Sequence, residues 1–468
     1  MKSRFTLLLI LTSMLVACSG TPASPPPTAP ASSEATKAPV ESAVTPAMTT
    51  ITEITPVPTV AGKPTNAVPN STPVEITYMM WGSPEELAIW QQIIDEFQVA
   101  NPNIKVKVDV SDWESYWNKL KTLYAGGKPP DVFAIDGPLY PDWASRGVLL
   151  NLQPYIDKTP GLLDGIYPNT LTTYKTNGNY YGLPRDLQPI VLFYNKDMFD
   201  KAGIAYPTDT WTMNDLRETA KKLTLDTNSD GKIDQWGFSA DLWDMELFWS
   251  EAIWSYGGNV ISDDYSKTLL ADGSARDAWK FINGMMVEDK SMPDPNTSAE
   301  FGGDPFGAGV AAMTTIGHWA IPQYSQQSFK WDVAPMPSGP GGRVTSVNSA
   351  GLVISKDSKY ADAAWEFVKY ALGPGGQNRM TELGFAVPVS KAVAESPVFL
   401  QQKSVQINQQ VFLDSLKFAK AKPSFKGYEE WAAVVGDGLV PVWAGEKSID
   451  EALDEIVPQA DAVLQKNK

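Results

Sequence analysis

The sequence predicts an α/β protein built from two lobes. Between 74 and 136, apolar segments with strand and helix periodicity alternate in the order strand, helix, strand, helix, strand. This order is typical of a parallel sheet covered by helices. Roughly 395 residues follow position 73, which is too many for one compact core and suits two lobes.

The first strand and helix have clear end signals. VEITYMM at 74–80 is typical of a buried strand. Ser83 is a good N-cap, Pro84 suits the first helical position, and Glu86 completes a capping box. Apolar residues then recur at helical spacing, namely Leu87, Trp90, Ile93, Ile94 and Phe97.

Two strands and a helix complete this unit. The segment from Ile104 to Val110 alternates as a strand, and a second helix runs to Tyr124, where AGGKPP ends it. DVFAI, which begins at Asp131, is a further strand. Ligands of parallel sheets bind beyond the carboxyl ends of the strands, where Trp81, Asp136 and Tyr140 fall.

Later segments continue the pattern. KTNGNYYGLP predicts a hairpin that turns at Asn177-Gly178. PRDLQPIVLFYNKDMFDKAGI predicts a strand followed by a helical turn. Further helices are predicted at 213–223, 274–288, 359–371 and 448–465.

The first 18 residues have the layout of a secretory signal peptide. Lys2 and Arg4 precede an apolar segment at 6–17 that is too short to span a bilayer. LVAC resembles the lipobox of bacterial lipoproteins, which implies that Cys18 carries a lipid anchor. The alternative is an ordinary signal peptide with a chance cysteine.

Residues 19–73 are rich in Ser, Thr, Pro and Ala and contain no Phe, Trp or Tyr. Such a segment cannot bury enough apolar surface to offset its ordering entropy, so we expect a disordered tether. With the lipid at Cys18, the prediction is an extracytoplasmic protein tethered to the cell membrane.

Composition excludes several functions. The formal net charge of −16 disfavours nucleic acid as a partner. One Cys and one His exclude a Cys–His nucleophile pair, a Ser-His-Asp triad with a spare His and a multi-His zinc site. His318 is expected to be a hydrogen-bonded structural residue rather than a ligand contact. Plentiful carboxylates leave glycosidase chemistry open.

Five segments carry a resemblance to a known family: ITYMMWGSPEE, GGKPPDVFAID, LPRDLQPIVLFYNKDMFDKAGI, GVAAMTTIGHW and VPVWAGEKSIDEALDEI. Together they resemble the extracellular solute-binding proteins of bacterial ABC sugar importers, of the maltose-binding type. The resemblance implies two α/β lobes joined by crossing strands near 185–189 and 345–348, with the sugar between them. Lobe one would be 74–187 plus 348–388, and lobe two 188–347 plus 389–468.

The same resemblance implies a function. The chain would bind a carbohydrate, close its lobes over it and deliver it to a membrane permease, as a monomer without a required cofactor. The alternatives are a secreted glycoside hydrolase that uses paired carboxylates, or a cell-surface carbohydrate adhesin.

Candidate ligand residues come from strand ends and from the resemblance. They are Trp81, Asp136, Tyr140, Asp186, Gln188, Trp243, Glu246, Trp249, Trp319 and Trp431. Trp81 and Trp319 are expected to offer flat faces to sugar rings from opposite lobes. Structural roles stay open: Trp81 and Trp319 could be core residues, and Asp136 could belong to an Asp-Gly turn. Asp186 could pair with Arg185 at the hinge, and the tryptophans at 243, 249 and 431 could be core or helix-face residues.

The loop DTNSDGKID resembles a calcium loop. Its candidate ligands are Asp226, Asn228, Asp230, Lys232 and Asp234. The twelfth position is Gly237, where a bidentate Glu is expected, and the alternative is an Asx-turn connector. Any calcium here would be structural.

Overall fold

The structure is a computed structural model that describes residues 73–403 and 405–467. The predicted signal peptide, Cys18 and all of the predicted tether except Pro73 lie outside the described residues. The strands are β1 (Val74–Trp81), β2 (Ile104–Ser111), β3 (Val132–Asp136), β4 (Lys175–Thr176), β5 (Asn179–Tyr180), β6 (Leu183–Pro184), β7 (Gln188–Pro189), β8 (Val191–Asn195), β9 (Met313–Ile316), β10 (Trp331–Ala334), β11 (Thr345–Asn348), β12 (Ala350–Ile354) and β13 (Ala419–Ala421).

The α-helices follow in chain order. They are α1 (Pro84–Ala100), α2 (Trp113–Ala125), α3 (Tyr140–Ser145), α4 (Gln153–Ile156), α5 (Pro168–Thr173), α6 (Lys196–Ala202), α7 (Met213–Leu223), α8 (Trp249–Ser255), α9 (Gly273–Asn283), α10 (Pro295–Ala299), α11 (Ile321–Tyr324), α12 (Ala361–Leu372), α13 (Pro374–Glu382), α14 (Lys391–Ala394), α15 (Pro397–Leu400), α16 (Gln410–Ser415), α17 (Tyr428–Trp443) and α18 (Ile449–Lys466).

The first lobe contains a five-stranded sheet in the order β2-β1-β3-β12-β6. Strand β1 pairs in parallel with β2 and with β3, while β12 is antiparallel to β3 and β6. The predicted parallel strand–helix unit is therefore confirmed. In this register Trp81 lies opposite Ser111, so three strand ends meet along one edge of the sheet.

Local signals set the first helix and the hairpin. The side chain of Ser83 accepts a hydrogen bond from the Glu86 backbone, and the Glu86 carboxylate accepts one from the Ser83 backbone at 2.7 Å. In the β4–β5 hairpin, Asn177 and Gly178 both have positive φ, at 51° and 81°. A two-residue turn of that hand matches the twist of the strands.

The second lobe contains an antiparallel sheet in the order β10-β8-β9. Central strand β8 is buried on both faces: Leu192 and Tyr194 belong to one core cluster, Val191 and Phe193 to the other. The sequence of a strand that is buried on both faces is continuously apolar and does not alternate between apolar and polar residues, as PIVLFY shows.

A small hinge sheet, β13-β11-β7, joins the lobes. Strand β7 lies between β6 of the first sheet and β8 of the second along the chain, and β12 follows directly after β11. Two chain crossings therefore run side by side, which confirms the crossing strands. The third strand, β13, comes from a segment for which the sequence predicted no strand.

Candidate ligand-binding site

One face of the hinge sheet gathers polar groups from both lobes. On β11, Ser346 donates to the Glu246 backbone oxygen at 3.1 Å, and Asn348 Nδ2 donates to Asp136 Oδ1 at 2.5 Å. Alternate residues of a strand share a face, so Ser346 and Asn348 define this one. Gln188 is the cross-strand partner of Asn348. The predicted residues Asp136, Gln188 and Glu246 thus converge here.

Two buried acceptors at this face have no donor. Gln188 is 6% exposed and Glu246 is 8% exposed. Neither Gln188 Oε1 nor Glu246 Oε2 accepts a hydrogen bond within the described residues. A buried polar atom without a partner carries its full desolvation cost. A ligand that donates hydrogen bonds would relieve that cost.

Lys422 is the cation of this cluster. Its buried ammonium lies 2.8 Å from Asp244 Oδ1 and 3.6 Å from Glu246 Oε2. Sequence reasoning missed it, because in AKAKPS nothing separates Lys422 from Lys420. Lys420 instead bonds Asn259 and lies over the Trp254 ring. Only the fold brings Lys422 to the carboxylates.

Burial governs the ionisation of these groups. It raises the pKa of Asp136 to about 6, and the Lys422 charge offsets part of that rise. It also raises the pKa of Glu246 well above its usual range. Burial alone would lower the pKa of Lys422, but Asp244 and Glu246 outweigh it and hold that pKa high. The cluster therefore combines one cation with three carboxyl groups, and the Lys422 charge opposes the effect of burial on Asp136 and Glu246.

Trp81 lies at the end of β1, half-buried among aromatic rings. Its ring centroid is 5.0 Å from that of Trp113, 5.3 Å from Tyr116 and 5.7 Å from Trp117. The Arg185 guanidinium carbon lies 5.3 Å from the same centroid. Trp81 is therefore part of a firmly packed aromatic cluster and not a free-standing platform.

Trp319 follows β9 in the second lobe and is also half-buried. Its ring folds over Gly317 so closely that a Cβ there would lie 1.8 Å from a ring atom. Only glycine permits this ring position. Trp81 and Trp319 each pack against both core clusters.

Trp243 and Tyr140 have different surroundings. Trp243 is 60% exposed, and its ring lies over Gly436 of α17. Tyr140 is buried, and its hydroxyl bonds the Tyr174 carbonyl at 3.0 Å and Thr176 Oγ1 at 2.9 Å. A cavity of about 1220 Å³ adjoins Tyr140 and Lys422, and it reaches Val347 on the opposite face of the hinge sheet. Tyr140 is therefore engaged within its own lobe.

The structure corrects Asp186. Its side chain is fully buried, Oδ2 accepts from Arg185 Nε at 3.0 Å, and Oδ1 accepts from the Ala350 backbone at 2.8 Å. Both carboxylate oxygens are thus occupied within the protein. The hinge ion pair, which the sequence left as the alternative, is the observed arrangement.

Trp249 and Trp431 are corrected as well. Trp249 is buried on α8 and packs against Trp279 with ring centroids 5.2 Å apart. Trp431 is fully buried, and its Nε1 donates to Thr268 Oγ1 at 3.0 Å. Both belong to the core of the second lobe because α8 and α17 turn these faces inward.

His318 and the DTNSDGKID loop have structural arrangements. His318 is buried, its Nε2 lies 3.0 Å from Gln409 Oε1, and burial lowers its pKa to about 4. Asn228 accepts from the Asp230 amide and Asp230 from the Lys232 amide, each at 2.8 Å, which are Asx-turn bonds. Asp226 accepts from the amides of Asp230 and Gly231 further along the loop. No three His, Cys, Asp or Glu side chains converge as a metal site within 73–403 and 405–467. The calcium assignment stays a prediction.

Comparison with known proteins identifies the family. The sequence matches the bacterial extracellular solute-binding proteins over residues 81–378, more than half of the chain. The chain belongs to this family. The two-lobed fold and the sequence resemblance are thereby confirmed, and the members are binding proteins. Among the described residues of this solute-binding protein, none forms a helix long and apolar enough to cross a membrane.

Individual relatives are similar to this chain in structure or in sequence. An ABC substrate-binding protein of Listeria monocytogenes, solved with cycloalternan, superposes with a TM-score of 0.76 at 26% identity, over 84% of this chain and 99% of that one. A maltotriose-binding protein of Pyrococcus abyssi is 25% identical over 329 residues, 67% of this chain and 66% of its own. A Streptomyces antibioticus protein named as an uncharacterized lipoprotein is 25% identical over 377 residues, 78% of this chain and 81% of its own.

Proposed function

We propose that this solute-binding protein captures a sugar or oligosaccharide between its lobes and delivers it to an ABC permease. One observation carries the proposal: Gln188 Oε1 and Glu246 Oε2 are buried acceptors without donors, where the lobes meet. Sugar hydroxyls donate to such acceptors, while the apolar ring faces pack on aromatic side chains. The names of the relatives above, which bind cycloalternan and maltotriose, support the same class of ligand.

The positions of these polar residues explain how a ligand would close the two lobes. Gln188 is on the hinge, Asp136 ends a strand of the first sheet, and Glu246 precedes α8 of the second lobe. A ligand that contacts all three stabilises the closed arrangement through contacts to both lobes. The permease then receives a closed, loaded protein.

Replacing Gln188 with Met is expected to weaken sugar binding about tenfold or more, since it removes a buried acceptor from the site. The free energy of unfolding should hold or rise by up to about 1 kcal/mol, because the unliganded protein loses an unsatisfied polar atom. Calorimetric titration with malto- and arabino-oligosaccharides and urea unfolding measure the two quantities.

A matched control is Gln377→Met. Gln377 is also buried, but its Nε2 donates to the Arg185 carbonyl at 3.0 Å and its Oε1 accepts from Val389 at 2.9 Å. This variant should lose stability and keep its affinity per folded molecule. If Gln188→Met binds sugar as tightly as the parent, the orphan acceptors are not the ligand site. If the parent binds no carbohydrate at millimolar concentration, the proposed ligand class is wrong.

A hydrolase would behave differently. Asp136 and Glu246 share the neighbourhood of Lys422, and we propose that they hold ligand hydroxyls rather than cleave a glycosidic bond. Incubation with the same oligosaccharides should release no reducing ends while tryptophan fluorescence changes on binding.

We further propose that the protein is tethered to the membrane through a lipid on Cys18. The LVAC segment supports this, as does the relative named as a lipoprotein. Cys18→Ser is expected to move the protein from the membrane fraction to the soluble fraction, because no thiol remains for lipidation. Fractionation of cells that express each form measures this. A Ser variant that stays with the membrane as strongly as the parent contradicts the tether.

A further inference from the structure

The polar cluster at the hinge holds more carboxyl groups than cations. Lys422 is its cation, and Asp136, Asp244 and Glu246 are the carboxyl groups whose charges act on it. Lys422 Nζ lies 2.8 Å from Asp244 Oδ1 and 2.9 Å from Asp244 Oδ2, so Lys422 occupies both oxygens of that carboxylate. In the described part of the chain, Asp136 and Glu246 remain without a cation of their own, and we call them the surplus carboxyl groups.

Other charged groups of the hinge do not neutralise the surplus carboxyl groups. Arg185 forms an ion pair with Asp186 at 3.0 Å, and Lys420 bonds an amide oxygen. Asp241 and Tyr428, which also titrate beside the cluster, carry no positive charge. Among the described residues, the imbalance of charge at the hinge therefore stands.

The surplus carboxyl groups are buried and come from opposite lobes. Asp136 ends β3 of the first sheet, and Glu246 precedes α8 of the second lobe. A carboxylate that leaves water without a cation beside it is costly, so burial raises the pKa of both groups. The charge of Asp136 adds to the rise at Glu246. Closure of the lobes thus brings together two groups that ionise at low cost only beside a further cation.

Two orphaned acceptors show that hydrogen-bond donors are missing at the same place. Glu246 Oε2 lies 3.6 Å from Lys422 Nζ, which is beyond hydrogen-bond distance. Gln188 Oε1 is the other orphan, and Gln188 is the cross-strand partner of Asn348, which bonds Asp136. A hydroxyl satisfies one acceptor and brings no charge. An ammonium group has three donors and also supplies the missing positive charge.

We propose that the ligand of this site is a sugar that carries a protonated primary amine, which takes the place of one hydroxyl between Asp136 and Glu246. The inference rests on the proposed function and adds the charge of the ligand to it. The ammonium donates to Glu246 Oε2 and Gln188 Oε1, and its charge stabilises the ionised form of both surplus carboxyl groups. Protons that these groups hold in the unliganded protein pass to the buffer when the amine binds.

The test compares sugars that differ in one kind of substituent. Glucose, glucosamine and N-acetylglucosamine carry a hydroxyl, an ammonium and an acetamide at the same carbon. Cellobiose, its diamino form and N,N′-diacetylchitobiose are the matching disaccharides. Calorimetric titration of the full-length chain is expected to show that the amino sugar binds at least about tenfold more tightly than its two neutral partners.

Proton release is a second measurement on the same protein. Titrations of the amino sugar in two buffers of different ionisation enthalpy should show protons leaving the protein on binding. Affinity for the amino sugar should rise between about pH 5 and 7, because an ammonium binds a carboxylate better than a carboxylic acid. Binding of a neutral sugar should release fewer protons, since it brings no charge.

Glu246→Gln is the variant, and Glu251→Gln is its matched control. Glu246→Gln removes one surplus carboxyl group and should lower the preference for the amino sugar over its neutral partners about tenfold. Glu251 is also buried, but its Oε1 accepts from the Ser346 backbone and its pKa is about 8, so it stays protonated over the pH range of the test. Glu251→Gln should therefore keep the preference of the parent. Urea unfolding confirms that each variant is folded.

The outcomes separate this inference from the proposed function. Neutral sugars, including the malto- and arabino-oligosaccharides, that bind as tightly as the amino sugars overturn the charged ligand and leave the proposed function intact. The same conclusion follows if Glu246→Gln keeps the preference of the parent. Absence of binding by every carbohydrate overturns both.

Discussion

Replacing Asp186 with Ala is expected to lower the free energy of unfolding by about 3–5 kcal/mol, the cost of leaving a buried charge unpaired. Arg185 is buried, and its guanidinium carbon lies 5.6 Å from the Trp90 ring centroid and 5.1 Å from that of Phe385. Asp186 is the one carboxylate with which it forms an ion pair within the described residues. Urea unfolding of the parent and the variant measures the loss.

Two controls separate the charge from the cavity. Arg185→Met combined with Asp186→Ala should recover much of the stability, because no unpaired charge remains. Asp109→Ala removes an exposed partner of Lys119 and should cost less than about 1 kcal/mol. If Asp186→Ala is no more destabilised than Asp109→Ala, the hinge ion pair contributes little and Asp186 is free for another role.

The parts of the fold that local chemistry determines could be predicted from the sequence. The Ser83–Glu86 capping box and the Asn177-Gly178 turn each depend on a few adjacent residues, and the structure has both. The parallel unit followed from periodicity over 74–136. The strand β13 did not, because three alanine and lysine residues carry no strand signal and pair only once β11 is in place.

The site residues that lie at strand ends could be predicted from the sequence, and the other site residues could be predicted less well. Asp136 and Trp81 sit at the ends of strands that periodicity places, so their edge of the sheet was known in advance. Trp249 and Trp431 were misassigned because they were taken from the family resemblance, which does not determine that α8 and α17 turn these side chains into the core. Lys422 and the orphaned Gln188 Oε1 depend on contacts between segments far apart in the chain.

We expect the second large effect at Glu251, whose ionisation should make the stability of the folded protein depend on pH. It lies on α8, is fully buried and forms no ion pair within the described residues. Its Oε1 accepts from the Ser346 backbone at 3.1 Å and lies within hydrogen-bond distance of the Ser346 hydroxyl, and its Oε2 lies 3.2 Å from the Ser250 hydroxyl oxygen. Burial raises the pKa of Glu251 from 4.5 to about 8, and the Ser346 bonds offset part of the rise.

The sign of the effect follows from proton binding. Between about pH 4.5 and 8 the folded protein keeps the Glu251 proton that the unfolded chain releases. Its contribution to stability is therefore full below 4.5 and is lost as the pH rises to about 8, by up to about 1.4 kcal/mol per pH unit. Asp136, whose pKa is about 6, should also lower the stability of the fold as the pH rises, over a narrower pH range.

Glu251→Gln should remove the pH dependence of stability that Glu251 causes and leave the contributions of the other titrating groups. The amide keeps the shape and the acceptor of a protonated carboxyl, so parent and variant should be similarly stable at about pH 5, and the variant should be more stable by several kcal/mol near pH 8. Urea unfolding of both proteins across that range gives the difference curve. Because Asp136 and Glu246 are common to both proteins, their titration largely cancels in the difference. A difference that does not change with pH would mean that Glu251 ionises in the folded protein as it does in the unfolded chain, through a water or counterion at the hinge.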